Sequence, residues 1–308
     1  LENMIPGHKY CYTVKAGDAA VKKGKILASG RVRFVNIDDS WNYRDLGGWT
    51  GIDGRKVQYD YLFRGGSLNG KWNQSSLTNS NHDQLANPAN YNMFTDKSRQ
   101  QLIDLGIKGE LDLRATSGSN SQIHAYAIGK NNTGITNWDF INLTFNDTQN
   151  SPLTASTAID CMAWIINHVL NDKPVVFHCK SGADRTGMLS YLIHSLLGVE
   201  EGNLAVDYEM TNFSHEQKEV TGTSAIRGKY TRQNTDGMYQ KAFTTFDNDK
   251  GANRQEKAYY YLNRHFGDKA IKSSDLDNFI EKMLGMKKGT YQHPEFARDN
   301  GIDIESVK

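Results

Sequence analysis

The sequence predicts an α/β fold, a central, mostly parallel sheet flanked by helices, with a β-hairpin at its N-terminus. Strand-length apolar runs alternate with segments of helical period between residues 98 and 197, the pattern of an open α/β sheet. Val175-Val176-Phe177 after Pro174 reads as a buried strand, and Met188, Leu189, Leu192, Ile193, Leu196 and Leu197 recur at helical spacing until Gly198. A tight loop therefore joins a strand to a helix start. Tyr10, Tyr12 and Val14 alternate ahead of the turn-like Ala16-Gly17-Asp18, which signals a hairpin.

Residues 1–35 differ in texture from the remainder, 36–308. The stretch Ile5 to Val14 resembles the late strands of a fibronectin type III or immunoglobulin-like sandwich. Too little chain is present to close a sandwich, so 1–35 reads either as a hairpin on the main domain or as the edge of a preceding β domain. Asp53-Gly54 between extended runs predicts a further hairpin, with Val57 to Phe63 as the strand leading into Arg64-Gly65-Gly66. Residues 69–96, rich in Asn, Ser and Gln, read as a long surface loop, which Trp72, Tyr91 and Phe94 either pin down or turn into a lid.

Farther on, Ser98 to Leu105 predicts a helix, Ile107 to Arg114 a strand and Trp138 to Phe145 another, followed by the loop Asn146 to Asn150. Ile159, Met162, Ala163, Ile166, Val169 and Leu170 mark one face of a helix that Pro174 ends. Residues 214–250 read as a mobile excursion with helical fragments. Arg254 to Phe266 and Ser274 to Leu284 predict the last helices, the second capped by Ser-Ser-Asp.

With 36 basic and 35 acidic side chains in 308 residues, the net charge is +1. No general basic surface invites nucleic acid, so any preference for anions is local. No apolar run reaches membrane-spanning length. Three cysteines are no disulfide framework; Cys11 and Cys161 read as buried thiols or a pair, while Cys179 must stay free to act. The opening Leu1-Glu2-Asn3, without Met, reads as a processed or trimmed product.

Cys179 sits where the strand meets the helix. Unpaired N–H groups and the positive end of the helix dipole favour anions there, a thiolate and a phosphate alike. Arg185 can return over the loop and grip two phosphate oxygens side by side. Gly182 and Gly187 allow a close backbone approach, and the Thr186 hydroxyl is expected to donate to the sulfur. Lys180, Ser181, Gly182, Ala183, Asp184 and Arg185 would form the phosphate cradle, with His178 orienting it. Lys180 either meets a second anionic group at the rim or is simply solvated.

His178-Cys179-Lys180-Ser181-Gly182-Ala183-Asp184-Arg185-Thr186-Gly187 is similar to the signature of the cysteine-dependent phosphatases. Asn42-Tyr43-Arg44-Asp45-Leu46-Gly47-Gly48, then Asp53-Gly54 with Val57, then Leu62-Phe63-Arg64-Gly65-Gly66 with Leu68 resemble the opening of the bacterial tyrosine and lipid phosphatase family. The motifs keep that family's order over roughly residues 36 to 285.

The resemblance implies a cysteine-phosphatase-like catalytic domain over 36–308 that needs no metal and no cofactor and works through a cysteinyl phosphate. A phosphotyrosine protein is the implied substrate, with a phosphoinositide or inositol phosphate as the alternative. Partners would be a phosphoprotein or a small phosphomonoester, not nucleic acid; a secreted or periplasmic location is the expectation. Asp112 and Arg114 would support the site from a neighbouring strand or else form a structural ion pair, and Arg44, Asp45 and Arg64 are carried over as supporting residues. The general acid is Asp147, where dual-specificity and lipid phosphatases carry theirs, or Asp184, as in the bacterial family. That family's loop usually reads G-K-D-R, whereas this chain has Gly182-Ala183-Asp184-Arg185, which weighs against lipid activity. A rhodanese-like sulfurtransferase would lack the Arg-Thr-Gly and N-x-R-D-L-G-G elements. An inactive phosphate-binding module would typically have lost Cys179 or Arg185.

Overall fold

A computed structural model describes residues 2–38, 40–66, 68, 96–114, 137–143, 155–179, 182–214, 231–233, 239–240, 246, 248–266 and 271–293. Near the N-terminus β1 (Lys9–Ala16) and β2 (Ala19–Leu27) form an antiparallel ribbon, turned at Gly17 with φ +59°. The ribbon is largely exposed, and among the described residues its strands pair only with each other.

The second sheet contains β3 (Arg44–Asp45), β4 (Leu62–Gly65), β5 (Gly109–Asp112), β6 (Asp139–Asn142) and β7 (Val175–His178), in the order β3-β4-β7-β5-β6. Only the β3–β4 pair is antiparallel. The mostly parallel sheet expected from the sequence is therefore present. The register brings Gly65, His178, Asp112 and Asn142 side by side at the carboxyl ends of β4, β7, β5 and β6, the edge at which open α/β sheets bind ligands.

The helices bounded within the described residues are α1 (Asp96–Asp104), α2 (Ala155–Leu170), α3 (Asp184–Leu196), α4 (Glu201–Glu209), α5 (Arg254–His265) and α6 (Ser273–Met283). Strand side chains alternate between two cores. Leu62, Leu111, Val175 and Phe177 join the large cluster formed with α2, α3, α5 and α6. Phe63 and Val176 join a smaller one with Leu102 and Leu105 at α1. Both faces of β7 are thus covered, which is why Val175-Val176-Phe177 is apolar without interruption. Gly198 closes α3 as expected, at φ +73° with its N–H on the Ser195 carbonyl.

Several elements differ from expectation. Val57 to Phe63 is not one strand: Asp60 adopts φ +70°, breaking the extended run, and β4 begins only at Leu62. The Asp53-Gly54 turn does form, with both residues at positive φ, but the pairing around it is a single Thr50–Lys56 bridge. The start of α6 is secured by Asp275, whose carboxylate accepts the Lys272 N–H, while Ser273 donates to Asn263. The long loop whose Trp72, Tyr91 and Phe94 either pin it down or make it a lid lies outside the described residues, as do Phe145, the loop 146–150 and most of 214–250. Among the described residues no helix is long and apolar enough to cross a membrane.

Candidate active site

Cys179 directly follows β7 and is buried, and α3 starts five residues later at Asp184. The N-cap residue of α3, Ala183, has no polar side chain with which to cap the first N–H groups of the helix. Gly182 makes the turn between them at φ +68°, packed so close to Gly65 that an added Cβ would lie 2.5 Å from the Gly65 carbonyl carbon. Only glycine satisfies both the left-handed backbone and that approach.

Arg185 occupies the first turn of α3, half-buried, and donates from Nη1 to the Leu113 carbonyl at 3.2 Å. The Leu113 N–H in turn donates to the His178 carbonyl at 2.8 Å. One residue beyond β5 thus ties the strand carrying the cysteine to the arginine. Asp184 is half-buried at the helix start. Ala183 is buried beside it. Lys180, Ser181 and the proposed acid Asp147 lie outside the described residues.

Beneath the cysteine, His178 is fully buried between two acceptors: Nδ1 lies 3.2 Å from the Cys179 carbonyl and Nε2 2.9 Å from Glu110. A carbonyl only accepts, so Nδ1 carries a proton, and one further proton lies between Nε2 and Glu110. Burial raises the Glu110 carboxyl above its ordinary range, against the His178 hydrogen bond. Trp138 Nε1 donates to its other oxygen at 3.1 Å.

Asp112 and Arg114 form a fully buried pair on the next strand end, with Arg114 Nη2 2.7 Å and Nε 2.9 Å from the carboxylate. Burial alone would raise the Asp112 carboxyl, but Arg114, His178 and the hydrogen bonds outweigh it and hold it below the usual range. Asn142 donates to both the Asp112 and Arg114 carbonyls at 2.9 Å.

On the opposite side, Arg44 and Arg64 are cross-strand partners, both fully buried, and both reach Asp207 on α4. Arg44 Nε is 2.8 Å from Asp207 Oδ1, and Arg64 Nη1 pairs with Oδ2. Arg64 Nη2 then donates to the Gly182 carbonyl at 2.6 Å. Burial, and secondarily the like charge of Arg44, brings Arg64 down to about 10, still charged at neutral pH. Burial would raise the Asp207 carboxyl, but the two arginines drive it far below the carboxylate range.

Two expectations about supporting residues need correction. Thr186 Oγ1 is buried without a hydrogen-bond partner and makes no bond to the sulfur; α3 already begins at Asp184, so Thr186 lies in its first turn rather than in the loop. Asp45 does not face the loop either. Neighbours on a strand point to opposite faces, so while Arg44 turns to Asp207, Asp45 accepts from Arg33, Gly47 and Asp60 at 3.0, 2.8 and 2.9 Å. It braces the bend between β3 and β4.

Glu110, Asn142 and Asp207 were not singled out from the sequence. Asp207 left a signal: it shares the buried face of α4 with Leu204, Ala205 and Tyr208, and a carboxylate on an apolar stripe requires a buried cation.

The tyrosine phosphatase family model matches residues 35–293. The chain belongs to the tyrosine phosphatase family. It is also similar to a protein of Cupriavidus necator provisionally named a tyrosine-protein phosphatase, 26% identical over 230 residues that cover 68% of this chain and 75% of that one. The strand–loop–helix at 175–196 and its supporting arginines fall inside the family match. The chain is therefore a phosphatase rather than a sulfurtransferase. Among the described residues no three His, Cys, Asp or Glu side chains converge to hold a metal ion.

Proposed function

We propose that this phosphatase hydrolyses phosphotyrosine in proteins through a cysteinyl-phosphate intermediate on Cys179. The observation that carries the reading is the junction itself: a cysteine directly after a central parallel strand, Gly182 held against β4, and an arginine in the first turn of α3. The Cys179 thiolate attacks phosphorus in line, and the substrate oxygen leaves with a proton from the general acid, Asp147 or Asp184. Water then releases inorganic phosphate and regenerates the thiolate. Arg185 and the loop amides hold the equatorial oxygens, which they fit best in the five-coordinate transition state. His178 orients the loop through the Cys179 carbonyl. The family match starting at residue 35 supports treating 36–308 as the catalytic unit and 1–35 as an appendage.

Turnover of an aryl phosphate, a phosphotyrosine peptide, a phosphoinositide and an inositol phosphate, with Cys179→Ser as control, tests the proposal. The peptide should be the best substrate, vanadate should block it, and a radiolabelled phosphate should be trapped on wild type but not on Cys179→Ser. Retained activity in Cys179→Ser would overturn the nucleophile, and faster turnover of the inositol compounds would overturn the substrate. Of Asp147→Asn and Asp184→Asn, the acid is the one whose loss removes the basic limb of the pH–rate profile for poor leaving groups.

A further inference from the structure

Arg44 and Arg64 stand directly opposite each other on β3 and β4, both fully buried. Like charges in that position repel, and burying one of them unpaired would be costlier still. Asp207 resolves this by reaching between them from α4, with one carboxylate oxygen for each. Arg44 is held further by the Asp207 carbonyl at 2.6 Å and by Asn42 Oδ1 at 2.6 Å. The cluster keeps one positive charge in excess, within electrostatic reach of Cys179.

Arg64 is the member that touches the loop. Its Nη1 is aligned by Asp207 and its Nη2 by the Gly182 carbonyl, while Nε is buried without a hydrogen-bond partner. Leaving a buried donor unpaired is unfavourable, so the side chain is set by its two outer nitrogens. The Gly182–Ala183 peptide is trans, and in a planar trans peptide the carbonyl and the following N–H point in opposite directions. Drawing the Gly182 carbonyl onto Arg64 therefore turns the Ala183 N–H to the far side of the loop.

We propose that Asp207 is a positioning residue of the phosphate loop: by aligning Arg64 on the Gly182 carbonyl, it presets the Gly182–Ala183 peptide so that its N–H faces the bound anion. The inference rests on the phosphatase reading above and adds that the loop is held in its anion-binding form by a carboxylate on a separate helix.

The test measures aryl phosphate kinetics, the vanadate inhibition constant and thermal unfolding for wild type, Asp207→Asn and Arg64→Met. Asp207→Asn leaves two buried guanidiniums against no carboxylate. If field alone mattered, the added positive charge would tighten vanadate. The positioning role predicts the opposite, a vanadate constant weaker by about ten- to a hundredfold, as for loss of a charge-assisted hydrogen bond, with kcat falling more than KM rises. Arg64→Met leaves Asp207 and Arg44 as a balanced pair and should weaken vanadate by a similar factor. Arg64→Lys keeps the positive charge but gives up the forked pair of nitrogens. Its weakening of vanadate, which field alone does not predict, decides the matter if Asp207→Asn does not fold, and unchanged vanadate binding in Arg64→Lys would then overturn the inference. Vanadate binding unchanged in Arg64→Met, or tighter in folded Asp207→Asn, overturns the inference. A wild type that neither hydrolyses aryl phosphate nor binds vanadate would instead overturn the phosphatase reading.

Discussion

Replacing Gly182 by alanine tests how tightly the loop is held. At φ +68° an alanine pays about 1–2 kcal/mol for the left-handed backbone. Its Cβ would also lie 2.5 Å from the Gly65 carbonyl carbon, 2.6 Å from the Gly65 oxygen and 2.7 Å from the Gly66 nitrogen. These are backbone atoms of β4 and its extension, which cannot rotate aside. Restoring ordinary contact at 3.4 Å from 2.5 Å requires a displacement of about 0.9 Å, and overpacking of this kind costs about 1–3 kcal/mol. A total of about 2–5 kcal/mol is shared between lost stability and a displaced loop. A shift of about 1 Å at a reacting centre costs on the order of a hundredfold in rate. Gly182→Ala should therefore lose about a hundredfold in kcat/KM towards an aryl phosphate, with unfolding lowered by several degrees but still cooperative. Steady-state kinetics and calorimetry on the same preparation read both quantities. Wild-type kcat/KM and vanadate affinity in a folded Gly182→Ala would refute the claim that this contact shapes the site.

Two further outcomes follow from buried titratable groups. Asp207 and Asp112 both have carboxyls held below their ordinary value, so at these two sites the native state binds fewer protons than the unfolded chain in acid. Their contribution is complete above pH about 4 and is lost as pH falls through the depressed native values; the urea midpoint should drop steeply below pH 4, and less steeply in Asp112→Asn. An equal slope in that variant would contradict the assignment. Among the cysteines, burial and then nearby Asp160 push the Cys161 thiol up, whereas Cys11 is exposed. At neutral pH, iodoacetamide should label Cys11 throughout, label Cys179 only without vanadate, and leave Cys161 untouched in the folded protein; mass mapping that found Cys161 labelled as fast as Cys11 would contradict this.

The amino-acid sequence by itself determined the parts whose signal is local. Apolar Val175-Val176-Phe177, the helical recurrence of Met188 to Leu197 and the stop at Gly198 state a strand, a turn and a helix, because side-chain period and backbone geometry are coupled within a few residues. The same locality carried Cys179, Gly182 and Arg185, which lie within one loop and helix start. Element ends were less legible: nothing in Val57 to Phe63 announces that Asp60 turns to positive φ.

Only the tertiary structure decided which strands adjoin and which charges share a partner. β7 enters between β4 and β5, placing Glu110 under His178 across 68 residues and Asp207 on Arg64 across 143. Spacing along the chain does not encode such pairings. They arise because a buried charge must find its counterpart wherever packing brings one within reach, and the energy at stake is set by dehydration in the assembled core rather than by any local conformational preference.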